Sequence, residues 1–148
     1  GSVERVEFCG VTFRNNTANE LGTVFRTPNS QRGRTTFDRC VWDGNHAGAG
    51  GGALWMQDME LEITNSTIAN NTADGLGGGV RVDQGPHGST IRIENTTFHR
   101  NVANRSLGGA LVFSGEGLVR HCTFAENEAA ARASSAPPSS RTGPSRRG

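Results

Sequence analysis

Large apolar residues recur along the chain as the first residue of a short motif, apolar-x-x-Asn, which occurs five times. The apolar anchors of this motif are Phe13, Trp42, Ile68, Phe98 and Phe124. A second apolar residue precedes each anchor by five positions, and these residues are Phe8, Phe37, Ile63, Ile93 and Val119. Within each strand-length segment, apolar and polar residues alternate, which is the period of a β-strand. The repeat therefore predicts short strands whose apolar side chains share one interior.

The position two residues before each anchor is small in every repeat. It is occupied by Val11, Cys40, Ser66, Thr96 and Cys122. Because one column is large throughout and the other is small throughout, we expect equivalent positions of successive repeats to stack. A polar dipeptide such as Thr64-Asn65 shifts the alternation between the two strands of a repeat, and such a shift predicts a bend in the chain.

A third strand is predicted after the glycines of each repeat. Its first inward residues are Val24, Leu54, Val80 and Leu111. We choose this alignment because the alternative would point Arg81 inward, and an unpaired buried charge costs several kcal/mol. In the first repeat the same alignment turns Arg26 inward, so we expect that turn to be distorted.

Three short strands in each repeat of 26–30 residues, with no helical segment between them, predict an all-β fold. The expected architecture is a single-stranded parallel β-helix, a solenoid of about five rungs. The residues that close the five motifs are Asn16, Asn45, Asn71, Asn101 and Asn127. We expect these asparagines to turn the corner, where asparagine tolerates the left-handed conformation, and to stack as a ladder of bridging amides.

The motif Phe-x-x-Asn combined with Gly-Gly-Ala-Leu at 51–54 and 108–111 and with Gly-Gly-Gly-Val at 77–80 resembles the repeats of polymorphic outer membrane proteins. More broadly, the pattern resembles the right-handed parallel β-helix proteins that are grouped as pectin-lyase-like. The resemblance covers about residues 4–128. It implies the right-handed form of the fold and an extracellular or outer-membrane, cell-surface location, with a role that is often adhesive.

Charge divides the chain into two parts. Residues 1–133 carry 12 Arg against 14 acidic residues, whereas 134–148 hold three Arg and no acid. We expect 1–133 to form the β-helix domain, as a fragment of a longer solenoid whose adjacent rungs cover its ends, and the Ser/Pro/Arg-rich segment 134–148 to be a disordered tail. The main body has no basic surplus, so we expect no nucleic-acid partner. No stretch reaches the roughly 18 apolar residues of a transmembrane segment.

The cysteines and several asparagines could indicate metal binding or glycosylation, but the repeat explains their positions more simply. Cys9, Cys40 and Cys122 are expected to be buried thiols that act as small core residues. No Cys/His spacing suggests a zinc site, and we expect neither a metal nor another cofactor. Five Asn-x-Ser/Thr sequons occur, at Asn15, Asn65, Asn70, Asn95 and Asn104. We interpret most of them as turn residues at rung corners.

Charged residues at outward positions of the first strand are the candidates for catalysis. They are Asp38, Glu62, Arg92, Glu94 and Arg120. Enzymes that this fold resembles, pectate lyases and polygalacturonases, need convergent carboxylates. Here the signs alternate between neighbouring rungs, so cross-strand ion pairs explain the arrangement and no catalytic residue is assigned. The four histidines are interpreted as surface residues.

A binding surface is predicted around Trp55. With Leu54 and Met56 inward, Trp55 points outward between Phe25 and Arg81 of adjacent rungs. An exposed aromatic ring beside a guanidinium suits the stacking of a sugar. The alternative is that the loop at 83–90 folds over the ring.

We therefore expect a non-catalytic stalk or adhesin-like segment that binds a polysaccharide or a host or cell-surface protein. The alternative is a fragment of a polysaccharide-active enzyme, related in action to pectate lyases or glycoside hydrolases. Fold alone does not decide between the two.

Overall fold

Nineteen short strands wind into a parallel solenoid in the computed structural model, which describes residues 5–20, 22, 25–26 and 33–130. Strands that are equivalent in successive turns pair side by side to form three five-stranded sheets and one four-stranded sheet. The described residues thus make four turns and add three strands of a fifth. Within the described ranges no residue is helical, and no helix long and apolar enough to cross a membrane is present.

The first two sheets carry most of the repeat motif. Sheet 1 consists of β1 (Arg5–Cys9), β5 (Gly33–Asp38), β9 (Met59–Thr64), β13 (Thr90–Glu94) and β17 (Glu116–Arg120). Sheet 2 consists of β2 (Thr12–Arg14), β6 (Val41–Asp43), β10 (Thr67–Ala69), β14 (Thr97–His99) and β18 (Thr123–Ala125). All pairings within them are parallel and in the register that the repeat predicts.

The other two sheets complete each turn. Sheet 3 consists of β3 (Thr17–Ala18), β7 (His46–Ala47), β11 (Thr72–Ala73), β15 (Val102–Ala103) and β19 (Glu128–Ala129). Sheet 4 consists of β4 (Phe25–Arg26), β8 (Leu54–Gln57), β12 (Val80–Asp83) and β16 (Leu111–Phe113). The sequence predicted three strands in each turn and did not predict the strands of sheet 3, because two residues are too few to show an alternation.

Stacked apolar columns fill the interior, as the repeat predicts. Trp42, Phe37 and Phe98 are fully buried. Phe8 stacks on Phe37 with 4.8 Å between ring centroids, and Phe98 stacks on Phe124 at 4.7 Å. Because equivalent positions of neighbouring turns carry large apolar side chains, each of these rings packs against a ring or an isoleucine of the next turn.

The left-handed residues of the corners lie one position before the ladder asparagines, which corrects our expectation. Asn15, Gly44, Asn70, Arg100 and Glu126 have φ between 51° and 68°. A second corner, between sheets 1 and 2, places Gly10, Arg39, Asn65, Asn95 and His121 in the same conformation. Asparagine and glycine adopt this region at the lowest steric cost, and they fill six of these ten positions.

The asparagine ladder itself is present. From Asn45 onward, each Oδ1 accepts two bonds from the preceding turn, as when Asn101 Oδ1 accepts from the Asn71 backbone N–H at 3.1 Å and from its Nδ2 at 3.0 Å. The same bonding joins the other neighbours in the series Asn16, Asn45, Asn71, Asn101 and Asn127. Each interior Nδ2 also donates to the carbonyl of the motif anchor one turn back, such as Asn101 to Ile68 O at 2.8 Å. The buried amides are therefore fully paired.

Cys9 corrects the prediction that all three thiols are buried. Cys40 is buried and Cys122 is partly buried, but Cys9 is exposed. It follows the inward Phe8 in β1, so the alternation of the strand points it outward, where Arg39 donates to its sulfur at 2.9 Å. None of the three is in a disulfide.

Removing one ladder amide should destabilise the solenoid. Asn101→Ala strands the backbone N–H of Asn71 and the carbonyl of Ile68 in the interior. We expect the free energy of unfolding in urea to fall by about 1 to 3 kcal/mol. Asn104→Ala is the control, since Asn104 is exposed and its amide bonds only to Asp74 outside the ladder. An equal effect of the two substitutions would contradict the role of the ladder.

The two tryptophans should differ in access to solvent. Trp42 is fully buried, whereas Trp55 points outward and is half-buried. In a Trp42→Phe variant the remaining emission, from Trp55, should be quenched by acrylamide; in Trp55→Phe the emission from Trp42 should resist quenching. Equal quenching of the two variants would show that the inward positions of β6 and β8 are wrongly assigned.

Candidate functional site

The corner between sheets 4 and 1 is where the turns differ most in length. One residue, Asp58, connects β8 to β9, and two residues connect β16 to β17. By contrast, six residues, 84–89, connect β12 to β13. The loop at 84–89 is therefore the longest connection at this corner among the described residues; residues 27–32, which join β4 to β5, lie outside them.

A buried carboxylate fixes this loop. Asp58 is 1% exposed, and its Oδ1 accepts from the backbone N–H of His87 at 2.8 Å, while its Oδ2 lies 2.7 Å from Nδ1 of the His87 ring. Its own backbone N–H donates to the Ser89 hydroxyl, which in turn donates to the Asp83 carbonyl. A Cβ on Gly85 would lie 2.2 Å from the Asp58 Cβ, so only glycine allows the loop to approach so closely.

A groove of about 740 Å³ opens beside this loop. Its polar lining comes from Glu60 and Glu116 in sheet 1, from Gln84 and His87 in the loop and from Thr90 at the start of β13. The His87 side chain is half-exposed and lines the groove, and since Nδ1 is engaged by Asp58, Nε2 is the ring nitrogen that can contact a ligand. Carboxylate, amide, hydroxyl and imidazole groups on one concave surface can bind a ligand rich in hydroxyl groups.

Sequence reasoning missed this site. His87 was interpreted as an isolated surface residue, and Asp58 lies 29 positions away in the preceding turn. The one available signal was the pattern itself. Asp58 occupies the position where the alternation of Leu54 and Met56 predicts a third inward apolar residue, and the segment 84–89 lengthens one repeat without adding large apolar residues.

The predicted aromatic platform is partly occupied by its own neighbours. The Arg81 guanidinium carbon lies 4.7 Å from the Trp55 ring centroid, and the indole N–H donates to Asp83 at 2.7 Å. Asp83 also accepts from Arg81 at 3.0 Å. Trp55 and Arg81 thus lie together, but as a cation–π pair that Asp83 fixes and that covers one face of the ring.

Phe25 does not take the predicted place beside Trp55 in the backbone register. The strand pairing aligns Phe25 with Leu54 and Arg26 with Trp55. Our alignment, which placed Val24 opposite Leu54, was therefore wrong by one residue. The first repeat lacks the paired glycines that fix the alignment in the later turns, and Val24 itself lies outside the described residues.

The outward charges of sheet 1 form a continuous series of ion pairs. Arg34, which the sequence did not mark, contacts Glu62 at 2.5 Å; Arg92 lies 3.9 Å from Glu62 and 2.6 Å from Glu94; and Arg120 contacts Glu94 at 2.9 Å. Positive and negative side chains therefore alternate along the series. Ion pairs of this partly exposed kind contribute about 0.2–1 kcal/mol each.

Asp38 lies apart from that series, because Thr64 occupies the position between it and Glu94. Asp38 instead accepts from the Asn65 amide at 2.8 Å and the Thr64 hydroxyl at 2.9 Å. These two hydrogen bonds, with that from Arg39, lower the pKa of Asp38. The Arg120 guanidinium, followed by that of Arg92, lowers the pKa of Glu94. Both carboxylates are therefore held ionised, which suits structural pairing rather than proton transfer.

The five sequon asparagines are exposed, and four occupy left-handed corners: Asn15, Asn65, Asn70 and Asn95. Three of the five amides donate to an aspartate one turn back, for example Asn70 to Asp43 at 2.7 Å and Asn104 to Asp74 at 3.0 Å. The turn chemistry that we inferred accounts for their presence.

No three His, Cys, Asp or Glu side chains of the described ranges are placed to share a metal ion. The smaller depression over sheet 1, about 310 Å³, is lined by the ion-paired residues Arg34, Glu62 and Arg92 and by Leu118. The groove at 84–89 is therefore larger than this depression.

Comparison with known proteins agrees with this architecture. The family model described as a right-handed β-helix region matches residues 2–138. Neither the curated proteins nor the solved structures gave a significant match. Since the family model spans most of the chain and the strands wind as a parallel solenoid, this protein belongs to the right-handed β-helix family.

Proposed function

We propose that this protein is a non-catalytic β-helix segment of a secreted or surface-displayed protein and that it binds a glycan in the groove beside the 84–89 loop. The observation that carries the proposal is the Asp58–His87 contact. A carboxylate that is 1% exposed holds both the backbone and the ring of His87, so the loop presents a fixed set of polar groups. Preorganised polar groups lower the entropy lost on binding.

The lining of the groove favours a sugar polymer over a protein partner. Protein interfaces place aromatic and aliphatic side chains at their centre. The large apolar side chains that are exposed in the described part of the chain are Val6, Leu107, Phe113, Leu118, Val119 and Phe124, and none of them lines this groove. Glu60, Glu116 and Gln84 offer the hydrogen-bonding oxygens that sugar hydroxyls require.

The resemblance of the Phe-x-x-Asn and Gly-Gly motifs to surface-protein repeats supports the extracellular part of the proposal. Trp55 with Arg81 is a second possible contact region for the glycan. Its open side is narrower than expected, because Arg81 lies over the ring.

Conservative substitutions test the groove. Binding to immobilised neutral and acidic polysaccharides is measured for the wild type, Glu60→Gln and Glu116→Gln; both residues are exposed, so the fold should tolerate the change. We expect each variant to bind at least about tenfold more weakly, the equivalent of about 1.4 kcal/mol. Glu128→Gln, an exposed change in sheet 3, is the control and should bind as the wild type does. If binding is lost in Trp55→Ala but not in the Glu60 and Glu116 variants, the glycan site is the surface around Trp55 and not the groove.

Catalysis is the second candidate function, and the same Asp58–His87 contact favours it. A buried carboxylate that orients an imidazole through Nδ1 is the arrangement of a general base. Release of reducing ends from the same polysaccharides would reveal turnover. Turnover lost in His87→Gln would replace the non-catalytic proposal, and turnover lost in Glu62→Gln or Arg92→Ala would place the chemistry on the ion-paired face. If no polysaccharide releases reducing ends, the result favours the non-catalytic proposal.

A further inference from the structure

The last turn exposes apolar side chains that every earlier turn covers. Phe124 is 49% exposed and Val119 37%, whereas their counterparts Phe98 and Ile93 in the turn before are fully buried; Leu118, 46% exposed, lies in an outward column beside Arg92. With Phe113, these residues account for four of the six large apolar side chains exposed in the described ranges. Most of the exposed apolar surface of the described residues therefore lies at the C-terminal end of the solenoid, which also carries the unpaired edges of β17, β18 and β19.

The asparagine ladder is open at both ends, in complementary ways. An interior amide such as Asn101 donates twice through Nδ2, but among the described residues Asn127 Nδ2 donates only to Phe98 O. At the other end, Asn16 Oδ1 accepts from no described residue, although every later Oδ1 in the ladder accepts twice. One end thus offers a donor where the other offers an acceptor.

The side-chain columns of sheets 1 to 3 also match across the two ends. If the pairing register of successive turns continues, Val119 meets Phe8, Phe124 meets Phe13 and Ala129 meets Ala18 of a second copy. Phe124 would then be covered on both faces, as Phe98 already covers one. In the outward columns Glu116 meets Arg5, and no like charges are opposed.

We propose that the C-terminal edge of sheets 1 to 3 binds the N-terminal edge of a second copy of this chain, head to tail and in ladder register. The interface is heterologous, so each copy keeps one free edge of each kind and can extend the stack. Sheet 4 has one strand fewer and takes no part. This inference stands apart from the glycan groove, since none of the ladder or edge residues named here except Glu116 lines it.

Cysteine cross-linking tests the register. Stacked strands lie about 4.8 Å apart, within reach of a disulfide whose Cα atoms are about 4.4–6.8 Å apart. In the proposed register Arg120 lies directly over the exposed Cys9 of the next copy. Arg120→Cys in the full chain, in a Cys122→Ser background, should form dimers and longer species under mild oxidation. Serine is chosen because Ser66 occupies the same column.

Controls separate this register from random contact. Glu116→Cys lies on the same strand but opposite Arg5, so it should cross-link at least about fivefold less. Cys9→Ser added to Arg120→Cys should abolish the species, and peptide mapping should find the sulfurs of positions 9 and 120 joined. Disulfides between two copies of position 120 would overturn the proposal. It would also be overturned if Arg120→Cys formed no more cross-linked species than Glu116→Cys, which is the result expected if residues 131–148 cover the edge.

Light scattering of the unmodified chain gives an independent measurement if Arg120→Cys does not fold. The mass should rise with protein concentration and fall back toward about 16 kDa for Phe124→Arg, which places a charge where Phe13 of the next copy would stack. A wild-type mass that stays at one chain at every concentration would also overturn the proposal.

Discussion

Burial of an asparagine amide at the same corner of every turn constrains this structure more than any other interaction. A buried amide has two donors and an acceptor to satisfy, and each unpaired group costs about 1 to 3 kcal/mol. Here all of them are satisfied by the turns above and below, through Oδ1, Nδ2 and the anchor carbonyl. A slip of one residue would strand every amide at once, so the ladder selects the register in which the apolar columns also coincide.

Because the ladder fixes one corner, differences in turn length must appear at others. Successive ladder residues are separated by 29, 26, 30 and 26 positions. The turn of 30 residues places its additional residues in the 84–89 loop, at the corner between sheets 4 and 1, where no ladder constrains the backbone. The groove thus arises where the solenoid tolerates irregularity, as loops on rigid scaffolds commonly do.

The periodic part of the structure could be predicted from the sequence, whereas the candidate site could not. Columns such as that of Phe37 and Ile63 can be recognised in the sequence because equivalent residues recur at similar spacing. The alignment failed in the first turn, where Phe25 and not Val24 lies opposite Leu54, because the paired glycines are missing there. The Asp58–His87 contact was invisible because it occurs once, joins residues from different turns and depends on how a loop of no fixed periodicity folds back.

Periodicity also helps to separate structural from functional roles among the polar residues. The charges from Arg34 to Arg120 recur on one face, pair with neighbours of opposite sign and are explained by the pairing of strands. The solenoid has no comparable need for the Asp58–His87 pair: β8 joins β9 and β16 joins β17 through one or two residues, so a short connection is sufficient at this corner. Burying a carboxylate to hold a six-residue loop costs desolvation that a shorter connection would avoid. A feature that occurs once, costs stability and lies beside a groove is therefore the observation on which the proposed glycan binding rests.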